Sequence, residues 1–107
     1  MKIAISSVGK DENSKVSMAG GRAPYYLIFE DRKLVKVMSN PVRVGGGGAG
    51  FSVAEMLADE GVDMVVSGKF GGNMKGALEA KGIKYKEMPD VNVKEVVRCF
   101  KFQDQEG

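Results

Sequence analysis

The order of short apolar segments and helix-type patterns is the feature that most constrains the fold of this chain. Three apolar segments come first, and helices then alternate with short strands up to residue 100. Glycines stop the first two helices, at Gly61 and Gly82. Strands are predicted at 2–6, 25–29, 33–39, 63–67 and 83–86, and helices at 51–60, 73–81 and 92–100. The order β-β-β-α-β-α-β-α predicts an α/β domain in which a hairpin precedes two right-handed crossover units.

The helical patterns also predict which side chains are buried and which cap the helix ends. The apolar face of the first helix is predicted to contain Phe51, Ala54, Leu57 and Ala58. Asn73 is the expected N-cap of the second helix, and Asn92 with Glu95 resembles a capping box at the start of the third. Near the end of that helix, Cys99 is predicted to be a buried packing residue. The chain from residue 101 onward is expected to fray.

Length and composition exclude several classes of protein. With 107 residues the chain is expected to form one domain, over 1–107. It has no His and one Cys, which argues against His-based catalysis, disulfides and Cys-built metal centres. Apolar runs are too short to span a bilayer, and the start of the chain does not resemble a signal peptide, so a cytoplasmic protein is expected, without membrane contact. A net charge of +2 is too small to indicate a nucleic-acid partner.

The predicted topology gathers the glycine-rich loops at one edge of the sheet, called the top edge here. Ligands of open α/β sheets bind beyond the carboxyl ends of the strands, and this is that edge. The run Gly45, Gly46, Gly47, Gly48, Ala49, Gly50 leads directly into the first helix, and Gly68-Lys69-Phe70-Gly71-Gly72 leads into the second. Backbone N–H groups of such loops and of helix N-termini bind anions. The sequence therefore predicts an anion site at the top edge.

The distribution of charge supports this prediction. No acid occurs between Glu12 and Glu30, between Asp31 and Glu55, or between Asp63 and Glu79. These acid-free stretches contain Lys15, Arg22, Arg43, Lys69 and Lys75. The top edge is thus predicted to carry a basic rim, although Glu87 and Asp90 interrupt it.

Known phosphate motifs fit this loop poorly. Gly45, Gly47 and Gly50 match the dinucleotide spacing, but Ser67 stands where a ribose-binding acid is needed. A P-loop would need Lys-Ser or Lys-Thr where Phe51-Ser52 stands. We found no nucleophile with a positioned base, although Ser6, Ser7 and Ser67 near the top edge leave catalysis open.

Several segments in order resemble the dinitrogenase iron–molybdenum cofactor biosynthesis family over about residues 1–100. They are Val16-Ser17, Gly21-Arg22-Ala23-Pro24 with the following strand, Gly46-Gly47-Gly48-Ala49-Gly50, the stretch from Gly61 to Gly68, Gly72-Asn73, and Ala80-Lys81-Gly82-Ile83-Lys84. The resemblance implies a ribonuclease H-like fold without nuclease activity, with a five-stranded mixed sheet in the order 3-2-1-4-5. It also implies that the chain binds or carries an iron–molybdenum or iron–sulfur type cluster. Relatives have Phe before Gly-Arg and often a nearby His, whereas this chain has Ala19-Gly20.

The main hypothesis is a small non-enzymatic protein that binds or carries an anionic metal–sulfur cluster, which a donor or acceptor protein would supply or receive. Its candidate binding residues are Arg22, Gly45, Gly46, Gly47, Gly48, Ala49, Gly50, Gly68, Lys69 and Asn73. Direct protein ligands to metal are not predicted. Two alternatives remain open: a nucleotide- or phosphate-binding regulatory module, and a protein-binding domain whose cluster site has decayed.

Overall fold

The computed structural model describes residues 1–40 and 49–106, with side chains described for residues 1–40 and 50–100. The strands are β1 (Lys2–Ser7), β2 (Tyr25–Glu30), β3 (Lys33–Ser39), β4 (Met64–Ser67) and β5 (Lys84–Glu87). The helices are α1 (Ala49–Asp59), α2 (Gly72–Ala80) and α3 (Val93–Glu106). The predicted element order is therefore confirmed, with element boundaries within two residues of expectation except at the end of α3.

The five strands form one mixed sheet in the order β3-β2-β1-β4-β5. Strand β2 pairs antiparallel with both β1 and β3, whereas β4 is parallel to β1 and to β5. This arrangement confirms the expected ribonuclease H-like topology. It places the carboxyl ends of β1, β4 and β5 at one edge of the sheet, which is the predicted top edge.

Two apolar layers cover the faces of the sheet, because successive strand residues point to opposite sides. Ala4, Tyr26 and Val65 face α1 and α2 in the first layer. Ile5 and Leu27 face α3 in the second. Both layers consist of buried side chains, so the inner strands β1, β2 and β4 are covered on both faces, whereas β3 is largely exposed.

The buried face of α1 is rotated from its predicted position. Phe51 is 52% exposed, whereas Val53, Ala54 and Leu57 are fully buried. Gly50 packs directly on Met74 of α2 and fixes the orientation of α1. Phe51 follows Gly50 by one residue and therefore lies about 100° further around the helix axis.

Three predictions at helix ends were wrong. Asn73 is not an N-cap: α2 begins one residue earlier, and its N-cap is Gly71, whose extended backbone has φ −74° and ψ 162°. Cys99 is exposed, since it is rotated about 100° from the buried Phe100 on α3. Nor does α3 stop at Phe100, because its helical backbone continues to Glu106. The capping-box prediction is partly confirmed, as the Asn92 N–H donates to Glu95 Oε1 over 3.2 Å.

No helix within residues 1–40 and 49–106 is both long enough and apolar enough to cross a bilayer.

Candidate functional site

A cleft opens at the top edge of the sheet, between the β1–β2 loop, the β4–α2 loop and the start of α1. Its volume is about 560 Å³, which lies in the range of small-ligand sites. We call it the top cleft. The residues that line it are Met18, Ala19, Gly20, Gly21, Arg22, Gly50, Lys69, Phe70, Gly71, Gly72, Asn73 and Met74.

The first wall of the top cleft is residues 18–22 of the β1–β2 loop. The Gly20 N–H donates to the Lys69 carbonyl over 3.0 Å, and the Tyr26 hydroxyl donates to the Gly20 carbonyl. Asn40 Nδ2 donates to the Gly21 carbonyl over 3.0 Å. Hydrogen bonds therefore hold the backbone of this wall at both Gly20 and Gly21. Burial raises the pKa of Tyr26 far above its ordinary value, so its hydroxyl remains a donor.

The second wall is residues 69–72, and it is fixed from several directions. The Gly68 N–H, just before the wall, donates to the Ser17 carbonyl over 2.8 Å. The Phe70 N–H donates to Glu87 Oε2 over 3.0 Å. The buried Phe70 ring packs edge-on against Tyr85, with centroids 5.4 Å apart. Lys69 is therefore held between two anchored neighbours.

Tyr85 supports this wall from behind, and its hydroxyl donates to Glu79 Oε2 over 2.5 Å. That hydrogen bond is the main reason that the pKa of Tyr85 is raised. The Tyr85 hydroxyl therefore stays protonated and bonded to Glu79.

Three glycines allow the walls to approach each other. A Cβ on Gly20 would lie 3.0 Å from Phe70 Cδ1, and one on Gly50 would lie 2.9 Å from Met74 N. A Cβ on Gly68 would lie 2.6 Å from Met18 Sδ and 2.9 Å from Met18 Cα. These contacts show that all three positions are packed against protein.

Gly71 and Gly72 differ, because a Cβ at either position would meet no atom within 4 Å. Both residues line the top cleft. Their backbone is therefore accessible from the cleft and could approach a ligand closely.

The first backbone N–H groups of α2 and α3 differ in their hydrogen-bond partners. At α3, the Val93 N–H donates to the Ser14 carbonyl and the Lys94 N–H to the Glu12 carbonyl, each over 2.9 Å. At α2, no side chain within the described residues caps the helix, whose N-cap is Gly71. The first N–H groups of a helix have no acceptor within it. The N-terminus of α2 lines the top cleft and presents backbone N–H donors to it, whereas the N–H groups of Val93 and Lys94 in α3 already donate to carbonyls of the β1–β2 loop.

The charged groups of the cleft are cationic. Arg22 and Lys69 are both exposed and line opposite walls. The described lining residues include no Asp or Glu. Lys75, one turn into α2, lies 3.8 Å from Glu87 through its Nζ atom. Two cations and a helix N-terminus therefore act on the same space.

The residues predicted from the sequence divide into four groups. Arg22, Gly50, Lys69 and Asn73 line the top cleft together. Gly68 is buried against Met18 outside the lining. Ala49 is the first residue of α1, and its side chain is not described. The predictions for Gly45, Gly46, Gly47 and Gly48 lie outside the described residues.

The candidate binding residues did not include Phe70, Gly71 and Gly72, although their loop was predicted to belong to the anion site and all three line the cleft. Gly71 and Gly72 had a usable signal, since they immediately precede a predicted helix. The role of Phe70 had none, because it depends on Tyr85 in a different strand.

The serines at the top edge hold the loops together. Ser6 Oγ and Ser67 Oγ are 2.8 Å apart, and each lies 3.1 Å from the Ser17 carbonyl oxygen. Both side chains are fully buried. These hydroxyls thus connect β1 and β4 to the β1–β2 loop, and neither lines the top cleft.

Among the described residues, no group of three or more His, Cys, Asp or Glu side chains is arranged to hold a metal ion. The polar side chains that line the described top cleft are Arg22, Lys69 and Asn73.

Strand order and the position of the cleft together define an α/β domain of ribonuclease H-like topology with a cleft at the carboxyl edge of the sheet. Within that class, the chain belongs to the dinitrogenase iron–molybdenum cofactor family, whose sequence profile matches residues 1–103. A search of curated proteins found no match.

Solved structures of similar fold come from several organisms. The apo form of the orange protein from Desulfovibrio gigas superposes with a TM-score of 0.86 at 25% identity, covering 98% of this chain and 88% of that protein. A candidate NifB protein from Thermotoga superposes with a TM-score of 0.80 at 30% identity, covering 94% and 87%. A candidate dinitrogenase from Methanocaldococcus jannaschii superposes with a TM-score of 0.67 at 17% identity, covering 97% and 90%. The last of these supports the fold alone.

Proposed function

We propose that this chain binds an anionic metal–sulfur cluster, of iron–molybdenum or iron–sulfur type, as cargo in the top cleft. The observation that carries the proposal is the N-terminus of α2, which no side chain in the described part of the chain caps and which opens onto a cleft flanked by Arg22 and Lys69. Membership of a family named for the iron–molybdenum cofactor points to the type of anion.

The chemistry of the cleft suits a sulfide cluster that is already assembled. Arg22, Lys69 and the backbone N–H groups near Gly72 donate hydrogen bonds to sulfide or to an oxyanion and offset negative charge. The cluster would be held without a protein ligand to its metal. Such binding is reversible, as the transport of a cluster requires.

Binding is favoured over catalysis by the side chains of the cleft. The described lining residues include no carboxylate, hydroxyl, thiol or imidazole. Together with the lysine amine, these groups are the usual general acids, bases and nucleophiles, and of them the described lining contains only the Lys69 amine, with no second such group in that lining to exchange a proton with it. We therefore propose a non-enzymatic role, in which a donor protein supplies the cluster and an acceptor protein receives it.

An anaerobic titration followed by amide NMR tests the proposal. Tetrathiomolybdate or a soluble iron–molybdenum–sulfide cluster is added to the full chain, and ATP and inorganic phosphate are added in parallel. Saturable shifts are expected at Arg22, Lys69 and Gly71–Asn73 with the sulfide ligands. The Arg22→Ala variant should bind at least about tenfold more weakly, because one charge-assisted contact is lost.

The matched control is Lys81→Ala, which removes one cation at the opposite edge of the sheet. This variant should bind as the native chain does, and urea denaturation should show that both variants are folded under the conditions of the titration. Equal shifts with ATP would favour a nucleotide-binding module instead. Absence of response to every ligand would contradict a small-ligand site and favour a protein-binding domain.

A further inference from the structure

One carboxylate, Glu87, is attached to the wall of an otherwise cationic cleft. It ends β5 at the top edge and accepts a hydrogen bond from the Phe70 N–H over 3.0 Å. Phe70 lines the top cleft and is the second residue before α2. Glu87 therefore touches the cleft from behind, through the backbone of the loop that carries Lys69.

The same carboxylate oxygen faces a cation of α2. Glu87 Oε2 lies 3.8 Å from Lys75 Nζ, and both side chains are about 40% exposed, at 40% and 43%. At that distance and exposure the pair is weak, and salt in solution screens it further. Its effect is to place a negative charge beside the positive end of α2 and to reduce the attraction of Lys75 for another anion.

From these contacts we infer that Glu87 is a positioning residue and an internal counter-charge of the top cleft. Its hydrogen bond holds the Lys69–Phe70 segment in place for binding. Its charge lowers the affinity for an anionic ligand, so that a bound cluster is released more readily. This inference rests on the proposed function and adds a means by which the chain limits its own affinity.

The two roles are separable because Gln keeps the acceptor oxygen of Glu and removes the charge. Glu87→Gln should bind tetrathiomolybdate about fivefold more tightly than the native chain at low ionic strength, since a negative charge near the helix N-terminus is lost. The two affinities should become nearly equal at about 1 M salt, because the Debye length is then about 3 Å and the charge of Glu87 is screened. Glu87→Ala loses the acceptor as well, so it should bind more weakly than Glu87→Gln, and its Phe70 amide should exchange faster.

Glu30→Gln is the matched control. Glu30 is exposed and ends β2 at the edge of the sheet opposite the top cleft. The change in net charge is the same, so Glu30→Gln should leave the affinity for tetrathiomolybdate at its native value.

Titration calorimetry of the four proteins at two salt concentrations distinguishes the outcomes. If the native chain binds and Glu87→Gln binds with equal affinity, or if Glu30→Gln gains as much affinity as Glu87→Gln, the inference is overturned while the proposed function stands. If Glu87→Gln alone binds, the inference is supported and the proposed function fails for the native chain. If neither binds, both are wrong.

Discussion

The glycines at the two edges of the sheet are required for different physical reasons. At the lower edge, Gly61 and Gly82 have φ values of +75° and +71°, and a Cβ on either would meet nothing within 4 Å. At the top edge, Gly50 and Gly68 are packed so closely that a Cβ would lie within 3 Å of other protein atoms. The lower glycines satisfy a local backbone conformation, whereas the upper ones satisfy contacts between distant segments. The difference teaches that one residue type can report on local structure at one edge and on tertiary packing at the other.

The largest effect is expected from filling the closest contact of the top edge. In Gly50→Val, the new Cβ would lie 2.9 Å from Met74 N and Met74 Cβ. These atoms are backbone or adjacent to it, so α1 and α2 must separate, at a cost of about 3 kcal/mol. Urea denaturation followed by circular dichroism measures the loss, with Gly72→Ala as the control at an open position. A loss of unfolding free energy smaller than that of Gly82→Ala, at the lower edge, would contradict the comparison.

A smaller effect is expected from Tyr26→Phe, which removes the donor to the Gly20 carbonyl in the first wall. Leaving that carbonyl without this donor should destabilise the fold by about 1–2 kcal/mol at pH 7. Burial raises the pKa of Tyr26 above its unfolded value. The phenol of the unfolded chain therefore ionises first as the pH rises past about 10.

The stability that Tyr26 contributes should consequently be complete below about pH 10 and should decline above it, by up to about 1.4 kcal/mol per pH unit. Urea midpoints of both proteins at pH 7, 9.5 and 10.5 measure this. The difference between native chain and variant should narrow only at the highest pH. A constant difference would show that Tyr26 does not titrate differently in the two states.

The smallest effect is expected at the lower edge. Gly82→Ala places a Cβ on a left-handed residue, which costs about 1 kcal/mol. It adds no clash, because the space around Gly82 is open. Thermal unfolding should show a modest decrease in the midpoint temperature. Titration calorimetry should show the native affinity for tetrathiomolybdate. Impaired binding would mean that the two edges are coupled, and the comparison would fail.

The sequence predicted most of the fold because the fold depends on local patterns. The Gly61 and Gly82 helix stops were recognisable, and after α2 the Gly82 N–H and Ile83 N–H donate to Glu79 and Leu78 carbonyls as such stops require. The convergence of Arg22, Lys69 and Asn73 followed from strand order, since loops at carboxyl ends of neighbouring strands meet.

The features that were missed depend on partners far apart in the chain. The exposure of Phe51 follows from the packing of Gly50 on Met74, which no periodicity within α1 encodes. The role of Phe70 depends on Tyr85 and Glu87, which belong to a later strand. Glu87 itself was visible only as an interruption of the basic rim.

The β1–β2 connection is held by hydrogen bonds at several points, and its two parts bond to different segments of the chain. Residues 12–16 bond to the segment around the start of α3, through the Val16 N–H with the Val91 carbonyl and the Ser14 carbonyl with the Val93 N–H. Residues 17–20 bond to the β4–α2 loop, through the Ser17 carbonyl and the Gly20 N–H. We therefore expect an insertion at the exposed Lys10 to leave the cleft wall undisturbed. That tip is a suitable place to attach a fluorophore or an affinity tag without altering the binding region it would report on.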